Sequence, residues 1–303
     1  MNNSKFSDLA KVAMANPNLK NMRPVVEKEL LHYDILYALE KEGFLDALVF
    51  QGGTSLRLCH GGNRFSEDLD FAGGKDFTSK HLHPIKECIE DYICSRYGID
   101  VTVKQPKELR DQPAYNEIKV DKWQIAVTTS PSQRDIPKQK IKLEIANIPA
   151  YTSEPSALNI NYDFLKEYEN TIIITETLEE IMADKLVSLP ACQKYVRFRD
   201  IWDLAWLQQQ GAQINPELIE KKLNDYKIQN YDQLLTSAVQ RLPSMVNDKK
   251  FLTEMQRFIP ADVLERTLEK DKFNLYLQSA LGGMFKEVNN ELYGKKQSFE
   301  FNM

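Results

Sequence analysis

At 303 residues, 42% of them hydrophobic, the chain can fill one large core or two modest ones, and no stretch approaches the ~20 apolar residues of a helical membrane span. A net charge of -5 leaves out a generic nucleic-acid coat. Cys59, Cys88, Cys94 and Cys192 make no C-x-x-C pair and the four histidines make no ligand set, which predicts free thiols in a reducing cytoplasm.

The N-terminal stretch has no continuous apolar run, so no secretory leader is expected. Residues 22–43 read as a helix, with Val26, Leu30, Tyr33, Tyr37 and Ala38 at helical spacing and Gly43 as its stop. Residues 48–50 form a short apolar strand. The small-residue turn Gly52-Gly53-Thr54-Ser55 follows and opens a short helix over 55–60. Residues 65–71 predict a strand, and 78–97 an amphipathic helix ending at Gly98. Alternation predicts further strands over 99–103, 123–128 and 141–145. Residues 155–168, rich in Asn and Tyr, read as a connection, and after Ile172-Ile173-Ile174 the period becomes helical almost to the end. The expected fold is α+β: a mixed sheet flanked by helices over residues 1–165, then a mainly helical domain over 166–303.

Three segments carry chemistry. In the first, Asp68 and Asp70 alternate with Leu69 and Phe71, so on a strand both carboxylates share a face. Two adjacent carboxylates repel unless a cation sits between them, and a divalent ion fits that need. The preceding Gly-Gly-Thr-Ser turn offers free N–H groups at a helix start, a seat for phosphate. A phosphate seat beside a metal-binding acid pair describes a nucleoside-triphosphate site. In the second segment, Lys140, Lys142 and Glu144 share one strand face and Ile141, Leu143 and Ile145 the other. In the third, Lys185 lies within the apolar stripe Ile181, Met182, Leu186 and Leu189, a costly place for an ammonium that meets no anion. Pro190 is expected to end or kink that helix, and Asp200, Asp203, Leu204 and Leu207 share a face of the next. Lys138, Lys140 and Lys142 form one local basic group, and Lys185, Lys194, Arg197 and Arg199 another. Such a lining inside an acidic protein suits a polyanionic substrate.

The run Arg64-Phe65-Ser66-Glu67-Asp68-Leu69-Asp70-Phe71, after Gly52-Gly53-Thr54, resembles motif I of the DNA polymerase β-like nucleotidyltransferases. It is most similar to the AbiEii/AbiGii toxin branch, with GGTxL followed by RFSEDLDF. Lys140 to Glu144 resembles that family's K-[IV]-x-x-E. Ala183 and Lys185, then Arg199, Asp200 and Asp203, resemble its A-x-K and R-D-x-x-D. The resemblance spans roughly residues 25–210, and residues 211–303 carry no assignable motif.

It implies a nucleotidyltransferase with Mg²⁺ (or Mn²⁺) on Asp68 and Asp70, and a triphosphate on Gly52, Gly53, Thr54 and Ser55 with help from Arg64. Glu144 would be the third carboxylate, one methylene longer than the usual Asp. Lys185 would meet the nucleotide phosphates and Asp200 would orient it or the base, while Asp203 reads better as a salt-bridge partner of an arginine. The implied partners are a nucleoside triphosphate, an RNA acceptor such as a tRNA 3′ end, and a cognate antitoxin of the winged-helix regulator type, all in the cytoplasm. Two other classes stay open: a small-molecule or protein nucleotidyltransferase, and a nucleotide-binding module without turnover.

Overall fold

The computed structural model describes residues 5–131 and 136–294. Its chain divides into two compact units, Met1–Glu176 and Thr177–Met303.

In the first unit, α1 (Phe6–Ala13) and α2 (Arg23–Lys41) precede β1 (Val49–Gln51), α3 (Gly52–Leu58), β2 (Leu69–Ala72) and α4 (Ile85–Tyr97). Then come β3 (Val101–Lys104), β4 (Val120–Val127), β5 (Gln139–Ala146), β6 (Ser153–Ala157) and β7 (Ile172–Glu176). The strands form one seven-stranded sheet in the order β3-β4-β5-β2-β1-β7-β6. β2 runs parallel to β5 and β1 to β7, while the other pairs are antiparallel, so the sheet is mixed as expected.

The alternation in β5 decides which face is which. Gln139, Ile141, Leu143 and Ile145 are buried, whereas Lys140 and Lys142 are exposed and Glu144 is half-buried. β4 does the same with Trp123, Ile125 and Val127 inside. α2 packs against β5 and α4 on the buried side.

Several elements differ from their sequence expectation. The helix expected from residue 78 begins at Ile85, after Pro84, with Lys80–Leu82 a separate 3₁₀ turn. Pro84 cannot continue a helix inward, but its fixed φ suits the residue before one. An edge strand, β6, runs into the stretch read as a plain connection. Its Pro155 lacks an N–H, which only an edge tolerates. The acid-bearing strand starts at Leu69, not four residues earlier. There Arg64 Nη1 donates to the Phe65 carbonyl at 2.9 Å and the Thr54 hydroxyl donates to that of Asp68, so this stretch is fixed by side chains.

α2 is buried nearly all round and carries four buried ionisable groups, each matched by a partner distant in sequence. Glu27 accepts from Arg23 Nε (2.7 Å), Thr129 Oγ1 (2.7 Å) and Gln139 Nε2 (2.8 Å). Glu29 takes Arg57 through Nε at 2.7 Å and Nη2 at 3.1 Å. His32 Nε2 meets the Glu67 carbonyl at 3.1 Å. Asp34 accepts from Tyr168 at 2.5 Å and Tyr97 at 2.9 Å, with Arg96 at 3.1 Å.

Burial pushes the Asp34 carboxyl from 3.8 up to about 6, against the pull of Arg96 and the tyrosines. Burial lowers His32 from 6.5 to about 4. The linkage signs oppose each other. Folded Asp34 holds a proton that the unfolded chain has lost, so its contribution fades as pH rises from about 4 to 6. Folded His32 refuses a proton that the unfolded chain accepts, so its contribution is lost as pH falls from 6.5 towards 4. Each is worth about 3 kcal/mol and they largely cancel. Relative to the parent, Asp34→Asn should therefore melt progressively lower as pH drops through this window, and His32→Gln progressively lower as it rises. Parallel Tm–pH curves for parent and variants would exclude this pair of titrations.

The second unit is helical: α5 (Leu178–Ala191), α6 (Phe198–Gln209), α7 (Pro216–Asp225), α8 (Tyr231–Val246), α9 (Lys249–Met255), α10 (Ala261–Arg266) and α11 (Asp271–Asn289). Pro190 falls in the last turn of α5, where it ends the helix as expected. α5 and α7 are joined by the fully buried Lys222, which meets Glu180 at 2.6 Å and Asp184 at 3.0 Å. No helix among the described residues is long and apolar enough to cross a membrane. All four cysteines are free, and burial pushes the Cys59 thiol up to about 12.

Candidate active site

β1 is followed directly by Gly52, whose φ of +78° turns the chain straight into α3, so the helix starts three residues earlier than expected. Glycine is needed there for a second reason: a Cβ would lie 3.2 Å from Asp70 Oδ2. At Gly53 an added Cβ would lie 2.3 Å from Arg64 Nη2 and 3.1 Å from Ser66 Oγ. The buried Arg64 guanidinium thus lies directly against the turn.

The Thr54 and Ser55 side chains face inward and are buried. Thr54 donates to the Asp68 carbonyl, which fixes the acid loop to the turn. The Ser55 hydroxyl pairs with that of Thr175, which in turn donates to the Phe50 carbonyl at 3.0 Å. What the turn can offer an anion is therefore its backbone N–H groups and Arg64, not these two hydroxyls.

Strand register sets Gln51 opposite Asp70, Asp70 opposite Glu144, and Glu144 opposite Lys122. The four form one row across four neighbouring strands, on the sheet face away from the Trp123 core, with strands ~4.8 Å apart. Asp68 lies two residues before Asp70. It accepts from the Lys142 backbone N–H at 3.0 Å and from Lys142 Nζ at 3.2 Å. Asp68 in return pulls the Lys142 ammonium above its ordinary range. Lys122 Nζ sits 2.7 Å from Glu144 Oε1. Gln51 Oε1 is buried and has no hydrogen-bond partner.

Among the described residues no three or more His, Cys, Asp or Glu side chains converge on one ion position. Asp70, with Asp68 two residues before it and the unpartnered Gln51 oxygen beside it in the row, nevertheless makes a hard-oxygen donor set. That fits Mg²⁺, which keeps several waters and shares substrate phosphates instead of demanding a full protein cage.

Lys185, Asp200 and Asp203 come together as a second cluster, in the helical unit. Lys185 Nζ lies 2.9 Å from Asp200 Oδ1 and 2.7 Å from Asp203 Oδ2, and all three are buried. Ser188 Oγ donates to Asp200 at 3.2 Å, and Arg197 Nε also donates to it. Burial alone would raise the Asp200 carboxyl, but Lys185 and Arg197 outweigh it and hold the group well below the usual carboxylate range. Asp203, expected to pair with an arginine, pairs with Lys185. Arg199 points elsewhere, towards Glu254 at 3.5 Å and the Phe258 ring at 5.0 Å. Of the second basic group, Arg197 is committed to Asp200, and Lys194 is exposed.

Sequence reasoning missed Gln51, Lys122 and the bond from Lys142 to Asp68. Their only signal is register, which no single strand carries. The contact at Gly53 is directly testable. Gly53→Ala forces the buried Arg64 to move and should cost about 1–3 kcal/mol, as overpacking does. A calorimetric melt unchanged from the parent would show that Arg64 is free to give way.

A family model described as "Nucleotidyl transferase AbiEii toxin, Type IV TA system" matches residues 34–279. Among solved structures, the fold is similar to MenT4, a nucleotidyltransferase toxin of Mycobacterium tuberculosis, at TM-score 0.56 and 18% identity, covering 97% of this chain and 92% of that one. JHP933 of Helicobacter pylori aligns at TM-score 0.48 and 20% identity over 91% of this chain and 96% of its own. No curated protein matches the sequence.

Proposed function

The chain belongs to the AbiEii family of nucleotidyltransferase toxins of type IV toxin–antitoxin systems, and from that premise we propose that it transfers a nucleoside monophosphate from an NTP to an RNA hydroxyl, at the row formed by Asp70 and Glu144. The observation that carries this reading is the register. It sets Glu144 beside Asp70, with Asp68 two residues away and bonded to Lys142, and with the glycine turn against both Asp70 and Arg64.

Asp68 and Asp70 are the residues that would hold a divalent cation, Mg²⁺ or Mn²⁺, which when bound supplies charge stabilisation to the transferring phosphoryl group. The backbone of Gly52, Gly53, Thr54 and Ser55, with Arg64, binds the triphosphate. Glu144, at its Oε atoms, takes the proton of the attacking hydroxyl. Its salt bridge to Lys122 holds the carboxylate in the row. Lys185 offsets charge on the leaving phosphates and Asp200 orients it. The work of the protein is mostly positioning and electrostatics.

The acceptor in this reading is the 3′ end of a tRNA, and the genetic partner is an antitoxin of the winged-helix regulator type, both in the cytoplasm. The test is incubation of the purified chain with each α-labelled NTP, Mg²⁺ and total tRNA. Label should enter RNA, pyrophosphate should be released, and expression should slow bacterial growth. Label in protein or a small molecule would overturn the acceptor. No pyrophosphate with any NTP would overturn turnover itself.

A further inference from the structure

We propose that the groove between the loop 105–119 and strand β4 seats the single-stranded end of the RNA acceptor, an inference that rests on the RNA-directed transfer proposed above. The groove has a volume of about 620 Å³ and is lined by Lys104, Lys107, Arg110, Lys119 and Lys122. Of these cations Arg110 pairs with Asp121 at 2.8 Å, Lys119 with Glu117 at 2.8 Å and Lys122 with Glu144 at 2.7 Å, and of the three lining acids Asp111 pairs with Lys80 at 3.1 Å. Lys104 and Lys107, set against Glu108, bias the lining towards an anion. Two of the Arg110 nitrogens face Asp121 and its guanidinium lies 5.8 Å from the centre of the Phe77 ring, so Arg110 builds the wall of the groove.

The loop is built rather than loosely draped. The buried Asn147 donates to the Ala114 and Glu117 carbonyls at 2.7 and 3.1 Å and accepts from the Lys119 N–H at 2.6 Å. Ser79 Oγ accepts from the Arg110 N–H at 3.0 Å. Beyond the lining itself, the same loop carries Tyr115, 69% exposed, an aromatic face of the kind on which single-stranded bases stack.

Position connects groove and chemistry. Lys122 belongs to the lining and also pairs with Glu144, which is in register with Asp70. From Lys122 to Asp70 is two strand spacings, ~10 Å. A strand end lying in the groove has only that distance to cover to bring its terminal hydroxyl to the acids. Cations, an open aromatic ring and continuity with the acid row together favour a nucleic-acid strand over an acidic protein.

The test uses the full chain, the charge-reversal variant Lys104→Glu/Lys107→Glu and, separately, Tyr115→Ala. Affinity for a fluorescent single-stranded oligoribonucleotide is read by anisotropy across a salt series, beside NTP affinity. The charge reversal should weaken RNA binding roughly tenfold or more and flatten the salt slope by about 1.4, since each lost phosphate contact on a single strand removes about 0.7. Tyr115→Ala should cost roughly tenfold with the slope unchanged. NTP affinity should stay at the parental value in both. If the parent labels RNA while the charge reversal leaves RNA affinity and slope unchanged, the groove is not the acceptor seat and the transfer reading survives. If the parent labels no RNA, the transfer reading fails and takes this one with it. If poly-glutamate displaces the oligoribonucleotide at equal charge concentration, the groove is a site for acidic protein and the inference is overturned.

Discussion

Asp70→Asn should lower nucleotide transfer by about 10²–10⁴-fold while the protein stays folded, the scale of losing a principal electrostatic group in a preorganised site. The substitution keeps the size of the side chain, so the close approach to Gly52, 3.2 Å from a would-be Cβ, is still filled. What disappears is charge in the row Gln51, Asp70, Glu144. Asp68→Asn should behave alike, with a small extra cost because Lys142 loses its carboxylate. That bridge is half-exposed, with 49% of the Lys142 side chain and 29% of the Asp68 side chain accessible, so its loss should cost at most ~1 kcal/mol. Initial rates with α-labelled nucleotide and a thermal melt separate the two effects. A double Asn variant that transfers at the parental rate would remove the acid row from the mechanism.

Lys185→Ala should be strongly destabilising, by about 3–5 kcal/mol, because it removes the ammonium that two buried carboxylates share. Alanine is a good helix former, so α5 itself is not the weak point. The cost lies in Asp200 and Asp203, each within 3 Å of the ammonium and almost inaccessible. Arg197 and Ser188 still serve Asp200, so part of the pairing of that carboxylate survives. Combining Lys185→Met with Asp203→Leu should recover part of the loss, the mark of a coupled pair. Denaturant titrations measure this. A Lys185→Ala protein with parental stability would contradict the buried cluster. A variant whose surviving folded fraction transfers nucleotide at the parental rate would leave Lys185 a structural residue only.

The sequence carried the local patterns well. Alternation in 141–145 gave the face on which Glu144 and Lys142 lie, and the helical period gave α2 within two residues at each end. What it could not carry is register. No local pattern tells that Gln51 stands opposite Asp70, or Lys122 opposite Glu144, because each pair joins segments fixed only by the assembled sheet. The inward turn of Thr54 and Ser55 was hidden for the same reason: their partners lie 14 and 120 residues away. On α2, Glu27, Glu29, His32 and Asp34 read as ordinary polar positions, since a period describes one helix and not the Thr129, Arg57 or Tyr168 that answer them. β6 escaped notice because Ser153-Glu154-Pro155-Ser156-Ala157 has no apolar alternation; it is a strand only because β7 offers it an edge.

The two ends of the sheet have a consequence for how a protein partner can take hold. The outermost strand at one end, β6, has Pro155 in its middle and so lacks a backbone donor there. At the other end the N–H of Val103, in β3, is occupied by Glu90 Oε1 at 2.7 Å. Strand addition, in which a binder extends a sheet through main-chain bonds, needs a row of open donors and acceptors along an edge. Neither edge offers an unbroken one. A protein that silences this toxin by direct contact must therefore grip side chains, and its specificity will be written in the surface residues of the toxin rather than in its backbone.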